Sequence, residues 1–286
     1  MDSEITAGGA VVTGAGRGLG KEIARLLVER GHLVLVTDVD EATAQATAAE
    51  LGDRAVARTL DVRDHAAVVA ACEDVVARAG RLDVWVNNAG VIVTGPAWEQ
   101  DEPTRRLMVE VNALGTINGT LAALTSMRGP DGTGGGHVIN IVSLAGLSAV
   151  AGEAVYAASK HAAIGFSLST MADLRAAGIR NIDISCICPD GIWTPMLYDK
   201  LDDPAAALSF SGTLLQPADV VQAVRKVLDR PRLVTAVPRA RGALVRFGDT
   251  FPAFSLAVAP VFVKKGRRTQ RKLLKAGGTR APQRPE

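Results

Sequence analysis

Runs of four to six apolar residues alternate along this chain with longer stretches whose apolar positions recur at helical spacing. Ala10-Val11-Val12-Thr13 is the first run and predicts a buried strand ending in a glycine cluster. Ile23, Leu26 and Leu27 share one face of a helix that stops at Gly31; Leu33 to Thr37 predicts a second strand ending at Asp38. Strand, glycine turn, helix, strand is a βαβ unit. The alternation continues with an Ala-rich helix after Asp40, a suitable N-cap, then a strand over 55–60, a helix over 64–79 and a strand over 82–86. Pro103 suits the first turn of a long helix reaching about Met127, and the Gly-rich stretch 129–136 predicts a mobile loop. Strands over 138–142 and 181–187 flank a helix over 153–177. The stretch 195–215 reads as irregular or short-helical, Pro217 opens another helix, and 232–237 predicts a seventh strand. The expected class is therefore α/β, a single doubly wound (Rossmann) domain over 1–239 with helices on both faces of a parallel sheet.

Composition agrees and charge adds one distinction. With 48% apolar and 22% charged residues, the 286-residue chain has the make-up of a folded protein. Its formal net charge of +2 hides an asymmetry: from Arg241 onward eleven Lys/Arg face only Asp249 and Glu286, which is +9, leaving −7 for the first 240 residues. An acidic body with a basic tail argues against nucleic acid as a partner. Residues 1–9 carry two acids and no base, so a cytoplasmic setting is expected over a secretory one. Cys72, Cys186 and Cys188 sit in apolar patterns and read as reduced core thiols. Histidines 32, 65, 137 and 161 have no metal-ligand spacing, and no metal is assigned.

Chemistry enters at the glycine cluster. Thr13-Gly14-x-x-Arg17-Gly18-Leu19-Gly20 follows a strand and opens a helix, so its backbone amides are placed to hold a pyrophosphate. Asp38, ending the second strand, suits hydrogen bonding to adenosine ribose hydroxyls, and its charge would repel a 2′-phosphate. That favours NAD. Arg17 could pair with such a phosphate and keeps NADP open; Asp40 competes weakly for the role of Asp38. Tyr156 and Lys160 are four apart on one helix face, with Ser143 thirteen residues upstream of the tyrosine. A nearby ammonium favours the phenolate and lowers the tyrosine pKa towards working pH, which would make Tyr156 a general acid/base.

Together, TGAGRGLG at 13–20, DV at 61–62, NNAG at 87–90, Asn112, Ser143 and YAASK at 156–160 resemble the short-chain dehydrogenase/reductase family over roughly residues 8–237. The resemblance implies a seven-stranded parallel sheet in the order 3-2-1-4-5-6-7. It implies that Asp61 and Val62 flank the adenine and that Asn88, Ala89 and Gly90 line the middle of the cofactor, although Asn88 also suits a purely structural sheet-end role. It implies catalytic roles for Asn112, Ser143, Tyr156 and Lys160. Tyr156 exchanges the substrate proton, Ser143 bonds the carbonyl oxygen, Lys160 also contacts the nicotinamide ribose, and Asn112 holds a water linking Lys160 to solvent. Pro189, Ile192 and Thr194 fall in the family's Pro-Gly-x-Ile/Val-x-Thr segment, with Ile192 and Thr194 facing the nicotinamide. Asp190 stands where that segment has glycine, which puts the turn's backbone in doubt; its carboxylate is expected to point to solvent. The implied activity is NAD(P)-dependent interconversion of an alcohol and a carbonyl, in a homodimer or homotetramer. A catalytically silent cofactor-binding regulator is the alternative, but such proteins should lose the tyrosine or the lysine. Dehydration or epimerisation would call for altered catalytic residues.

Residues 240–286 lie beyond the resemblance, with Phe247, Phe251, Phe254 and Phe262 followed by a basic run and an end expected to be partly disordered. Three readings stand: a segment packed on the body or on a partner subunit, a lid over a lipophilic pocket, or a peripheral anchor to anionic membrane. The phenylalanines favour a lipophilic substrate over a sugar.

Overall fold

The computed structural model describes residues 7–129 and 134–277; the centre of the predicted loop and the end of the tail lie outside them. The elements β1 (Gly9–Thr13), α1 (Gly18–Glu29), β2 (Leu33–Asp38), α2 (Glu41–Leu51), β3 (Ala55–Thr59), α3 (His65–Ala79) and β4 (Leu82–Asn87) alternate as expected. Next, α4 (Glu102–Val109), one π-helical turn (Glu110–Leu114) and α5 (Gly115–Arg128) run continuously, before β5 (Gly136–Ile141). A 3-10 turn (Leu144–Gly146), α6 (Ala154–Ala176) and β6 (Ile182–Pro189) follow. Then come α7 (Pro195–Tyr198), a 3-10 segment (Pro204–Phe210), α8 (Pro217–Asp229), β7 (Val234–Val237), α9 (Arg239–Thr250) and α10 (Pro252–Lys275).

Local chemistry sets several of these boundaries. Asp40, Asp64 and Asp101 each accept a hydrogen bond from a backbone amide three residues on, at 3.2, 3.1 and 2.9 Å, and so cap α2, α3 and α4. Pro103 and Pro217 occupy first turns, where the missing N–H costs nothing.

All seven strands are parallel, in the order β3-β2-β1-β4-β5-β6-β7. Successive residues of β1 point to opposite faces. Ala10 and Val12 join the core formed with α1 and α8, and Val11 joins the one formed with α3 and α5. The order reverses between β1 and β4, so the crevice at their C-terminal ends is where an open parallel sheet binds ligands. Neighbouring α5 and α6 are tied to the sheet by a buried polar chain. Trp85 Nε1 donates to Asn87 Oδ1 at 2.7 Å, Asn87 Nδ2 to Asn140 Oδ1 at 2.8 Å, and Asn140 Nδ2 to Ser167 Oγ at 2.8 Å. Each link leaves no buried donor orphaned, and none of it shows in hydrophobic periodicity. The three cysteines are buried and free, and burial pushes their thiols up to about 12, 11 and 12 for Cys72, Cys186 and Cys188, which leaves them inert.

Candidate active site

The glycine turn is built by close approach. Gly14 has φ +60°, and a Cβ there would stand 2.8 Å from the Ala89 Cα. Thr13 Oγ1 accepts from the amides of Asn88 and Ala89, both at 3.0 Å. Asn88 Nδ2 donates to the carbonyls of Thr13 and Gly14, both at 2.9 Å. Asn88 therefore locks the ends of β1 and β4 together while also bordering the cleft, and the two roles weighed for it coexist. At the next strand end, the Asp38 carboxylate accepts from the amides of Gly16 at 3.0 Å and Asp40 at 3.1 Å. Those bonds fix it on the cleft wall beside exposed Arg17. Asp61 is engaged by Arg63, whose Nη2 donates to Oδ2 at 2.6 Å, and this pairing holds its carboxyl below the ordinary range. A shaped glycine turn, the free amides of the α1 N-terminus and an oriented carboxylate at the ribose position fit a dinucleotide.

Ser143 follows β5 and accepts from the Ala145 amide at 3.1 Å. Tyr156 and Lys160 lie on the first two turns of α6, both buried, with Lys160 Nζ 5.7 Å from the phenol ring centre and bonded to the Ile141 carbonyl at 3.2 Å. Their electrostatics correct one expectation. Spacing alone predicts a tyrosine pKa lowered by the lysine, but burial pushes the Tyr156 phenol above its ordinary value; the Glu153 charge adds to the rise and a hydrogen bond with Ser143 opposes it. Burial likewise brings Lys160 down to about 8. Both groups have lost water, and at this separation their attraction does not restore it.

Asn112 lies in the π-helical turn and is fully buried. Its Oδ1 accepts from the Val91 amide at 2.8 Å, and its Nδ2 donates to the Val91 carbonyl at 2.9 Å and to Ser159 Oγ at 3.0 Å. Ser159 in turn donates to the Tyr156 carbonyl at 2.7 Å. The side chain thus positions the loop after β4 against the start of α6, which explains an asparagine inside a helix. A single π turn is frequent at functional sites, and periodicity cannot reveal it.

Asp190 departs from expectation: its side chain is only 9% exposed and turned inward. Gly212 makes the room, since a Cβ there would stand 2.0 Å from Asp190 Oδ2. Arg241, from α9, brings Nε to 3.3 Å of the same oxygen, donates Nη2 to Ser211 Oγ at 2.9 Å, and lies 5.4 Å from the Phe262 ring centre. Burial raises the Asp190 carboxyl and Arg241 opposes the rise. The solvent reading fails because the extension covers the carboxylate and supplies its counter-charge. The turn's backbone needs no glycine here, as no non-glycine residue has positive φ among the described residues.

One cavity of about 1060 Å³ gathers these groups. Every residue singled out above for cofactor binding or catalysis borders it except Asn112 and Asp40, the weaker candidate for the role of Asp38. Its far end is lined by the extension, through Leu244, Phe247, Phe254, Val258 and Phe262. Glu153 is the functional residue that motif reading missed. It is buried, bonds Ser209 Oγ at 2.5 Å, and is raised to about 7, mainly by burial. Its spacing of three residues before Tyr156 on the helix entry was the available signal.

Comparison with known proteins points to one family. A family model described as short chain dehydrogenase matches residues 9–205. The chain is 33% identical over 270 residues to 15-hydroxyprostaglandin dehydrogenase [NAD(+)] of Rattus norvegicus, covering 87% of this chain and 97% of the relative. It is 36% identical over 212 residues to L-fucose dehydrogenase of Bos taurus, covering 72% and 75%. An NADP-dependent 3-hydroxy acid dehydrogenase of Salmonella typhi is 35% identical over 223 residues, covering 77% and 89%. Among solved structures, a short chain dehydrogenase/reductase from Burkholderia phymatum in complex with NAD matches with TM-score 0.76 and 26% identity, covering 84% of this chain and 92% of that one.

Proposed function

The chain belongs to the short-chain dehydrogenase family of oxidoreductases, and on that premise we propose that it interconverts a lipophilic alcohol, secondary or primary, and its carbonyl by NAD(P)-linked hydride transfer. The observation that carries the reading is the meeting of Ser143, Tyr156 and Lys160 on the wall of a cleft that begins at the glycine turn. When bound, the nicotinamide cofactor supplies the hydride acceptor for oxidation and the donor for reduction. Tyr156 takes the hydroxyl proton onto its phenol oxygen and returns it to the carbonyl in the reverse direction. Ser143 hydrogen-bonds the substrate oxygen as its charge changes. Lys160 is the nearest cation, and with its ammonium brought down to about 8 it passes a proton on near neutral pH. The Asn112 carbonyl accepts from Thr116 Oγ1 at 2.8 Å, and by the family resemblance Asn112 holds the water that relays that proton.

Tyr156→Phe is expected to lower turnover by roughly 10²–10⁴-fold while leaving NAD binding, followed by tryptophan quenching, unchanged. Near-normal turnover in that variant would sink the assignment.

We infer a preference for NAD over NADP. The support is the Asp38 carboxylate, whose orientation by two amides leaves its charge where a 2′-phosphate would lie. Asp38→Asn should narrow the gap in kcat/KM between the two cofactors; equal values in the unaltered chain would count against Asp38. For the substrate, one relative is named for a hydroxyprostaglandin and another for a sugar, and the apolar far end of this cavity favours an apolar body on the alcohol.

A further inference from the structure

The extension has two sides with different chemistry. Its inner side packs on the body through Gly266, where a Cβ would stand 1.7 Å from the Ala207 carbonyl oxygen, and through Gln270, whose Nε2 donates to the Asp203 carbonyl at 2.7 Å. Its outer side carries apolar residues that nothing covers. Phe251, at the bend between α9 and α10, is 52% exposed and Val261 on α10 68%, and Phe247 packs tilted against Phe251 with 5.1 Å between ring centres. Phe247 and Phe254 are each 56% exposed and also line the cavity, so the mouth of the cavity opens within this apolar patch.

Charge distinguishes what can cover the patch. From Pro252 to Lys275 there are seven Lys/Arg and no acid, and none of the seven forms an ion pair among the described residues. At about 100° per residue, Phe254, Val261, Lys265, Arg268 and Lys272 fall within an arc of roughly 60°, opposite Gly266 and Gln270. One exposed stripe therefore runs from apolar to basic. From Val261 to Lys265 the stripe rises about 6 Å, a distance comparable to that from the acyl boundary to the headgroups. A second copy related by a two-fold axis would lay this cationic stripe against its own image, which like charge opposes. Nucleic acid would meet the cations but leave the phenylalanines uncovered.

We propose that the α9–α10 bend docks on an anionic lipid bilayer, with Phe251, Phe254 and Val261 at the acyl boundary and the basic half of α10 on the headgroups, so that the cavity draws its substrate from the membrane. The proposal rests on the lipophilic-alcohol reading for its substrate and on the patch alone for its docking. The net charge of −7 on the first 240 residues keeps the rest of the molecule off an anionic surface and orients the mouth towards it.

Flotation of the full chain with vesicles of phosphatidylcholine plus phosphatidylglycerol, against phosphatidylcholine alone, tests the docking. Binding should be roughly tenfold or more stronger on the anionic vesicles and fall as salt rises. The double variant Phe251→Glu, Arg268→Glu, neither residue lining the cavity, should lose flotation while keeping its unfolding temperature and its turnover of a short soluble alcohol. It should also lose the rate advantage that anionic vesicles give on a long-chain alcohol dissolved in them. Equal binding to both vesicles, no binding to either, or flotation that survives the double variant overturns the proposal. So does a double variant that changes only the sedimentation-derived oligomeric state, because a second copy then covers the patch. The substrate reading fails separately: flotation with turnover of small polar alcohols only would remove that reading and leave the docking intact.

Discussion

Glu153 shows how much one buried side chain can contribute to this cleft. Its carboxyl has an ordinary value of 4.5 and is lifted to about 7 by burial, with the Asp190 and Asp203 charges adding to the rise and the Ser209 bond opposing it. A carboxyl raised in the folded state contributes stability that is present below its unfolded value and is lost as pH climbs through 7. Across that window the loss is on the order of 3 kcal/mol. Glu153→Gln keeps a partner for Ser209 and removes the ionisation. Its melting temperature should match that of the unaltered chain near pH ~4 and exceed it near pH ~8, as thermal unfolding at the two values would reveal. The same change removes a negative charge that holds the Tyr156 phenol up, so the pH–rate profile for alcohol oxidation should move to lower pH. An unmoved profile would mean that the two groups are not coupled during turnover.

Among the elements, α9 and α10 alter the site most, and small residues and one ion pair hold them there. Gly242 lets α9 approach β7, where a Cβ would stand 2.1 Å from the Ala236 Cβ, and Gly266 does the same for α10 against the 3-10 segment 204–210. An exposed ion pair contributes ~0–1 kcal/mol, whereas stranding one partner of a buried pair costs ~3–5. With side chains 9% and 21% exposed, Asp190–Arg241 lies towards the buried case and pins the extension to the segment that carries Ile192 and Thr194. Replacing a helical glycine usually stabilises by up to ~1 kcal/mol, but overpacking costs ~1–3, and at Gly266 the obstacle is a backbone carbonyl that cannot turn aside. Gly266→Leu should therefore lower the melting temperature and raise KM for bulky alcohols far more than for small ones. Steady-state kinetics on both substrate classes checks this.

For the whole molecule, the continuous helix Glu102–Arg128 has the length and composition to cross a membrane, yet Ala122, Ala123, Leu124 and Met127 pack in the core beneath the sheet. Its outer side keeps Leu114 and Leu121 exposed, as α6 keeps Leu168. We infer that these two helices pair between subunits in the homodimer or homotetramer that the family resemblance implies. Leu121→Glu should shift the mass measured by light scattering towards the monomer, and an unchanged mass would place any interface elsewhere.

The amino-acid sequence alone determined neither the π turn at Asn112 nor the two helices of the extension, but it did determine the alternation of strands and helices as far as β7, the glycine turn, the carboxylate at the end of β2 and the Tyr156–Lys160 pair. Each is written in neighbours a few residues apart, where propensity, capping and helical spacing act directly. Family resemblance added the strand order and the residues gathered from separate strand ends. Only the tertiary structure decided that Asp190 turns inward, that Asn112 spends its side chain on Val91 and Ser159, and that burial lifts Tyr156 instead of Lys160 lowering it. It likewise decided that the phenylalanines of the extension line the same cavity as the glycine turn. Those outcomes depend on desolvation and on partners far away in the chain, as between Asp190 and Arg241 or Glu153 and Ser209. Local pattern carries no information about which distant group removes the water.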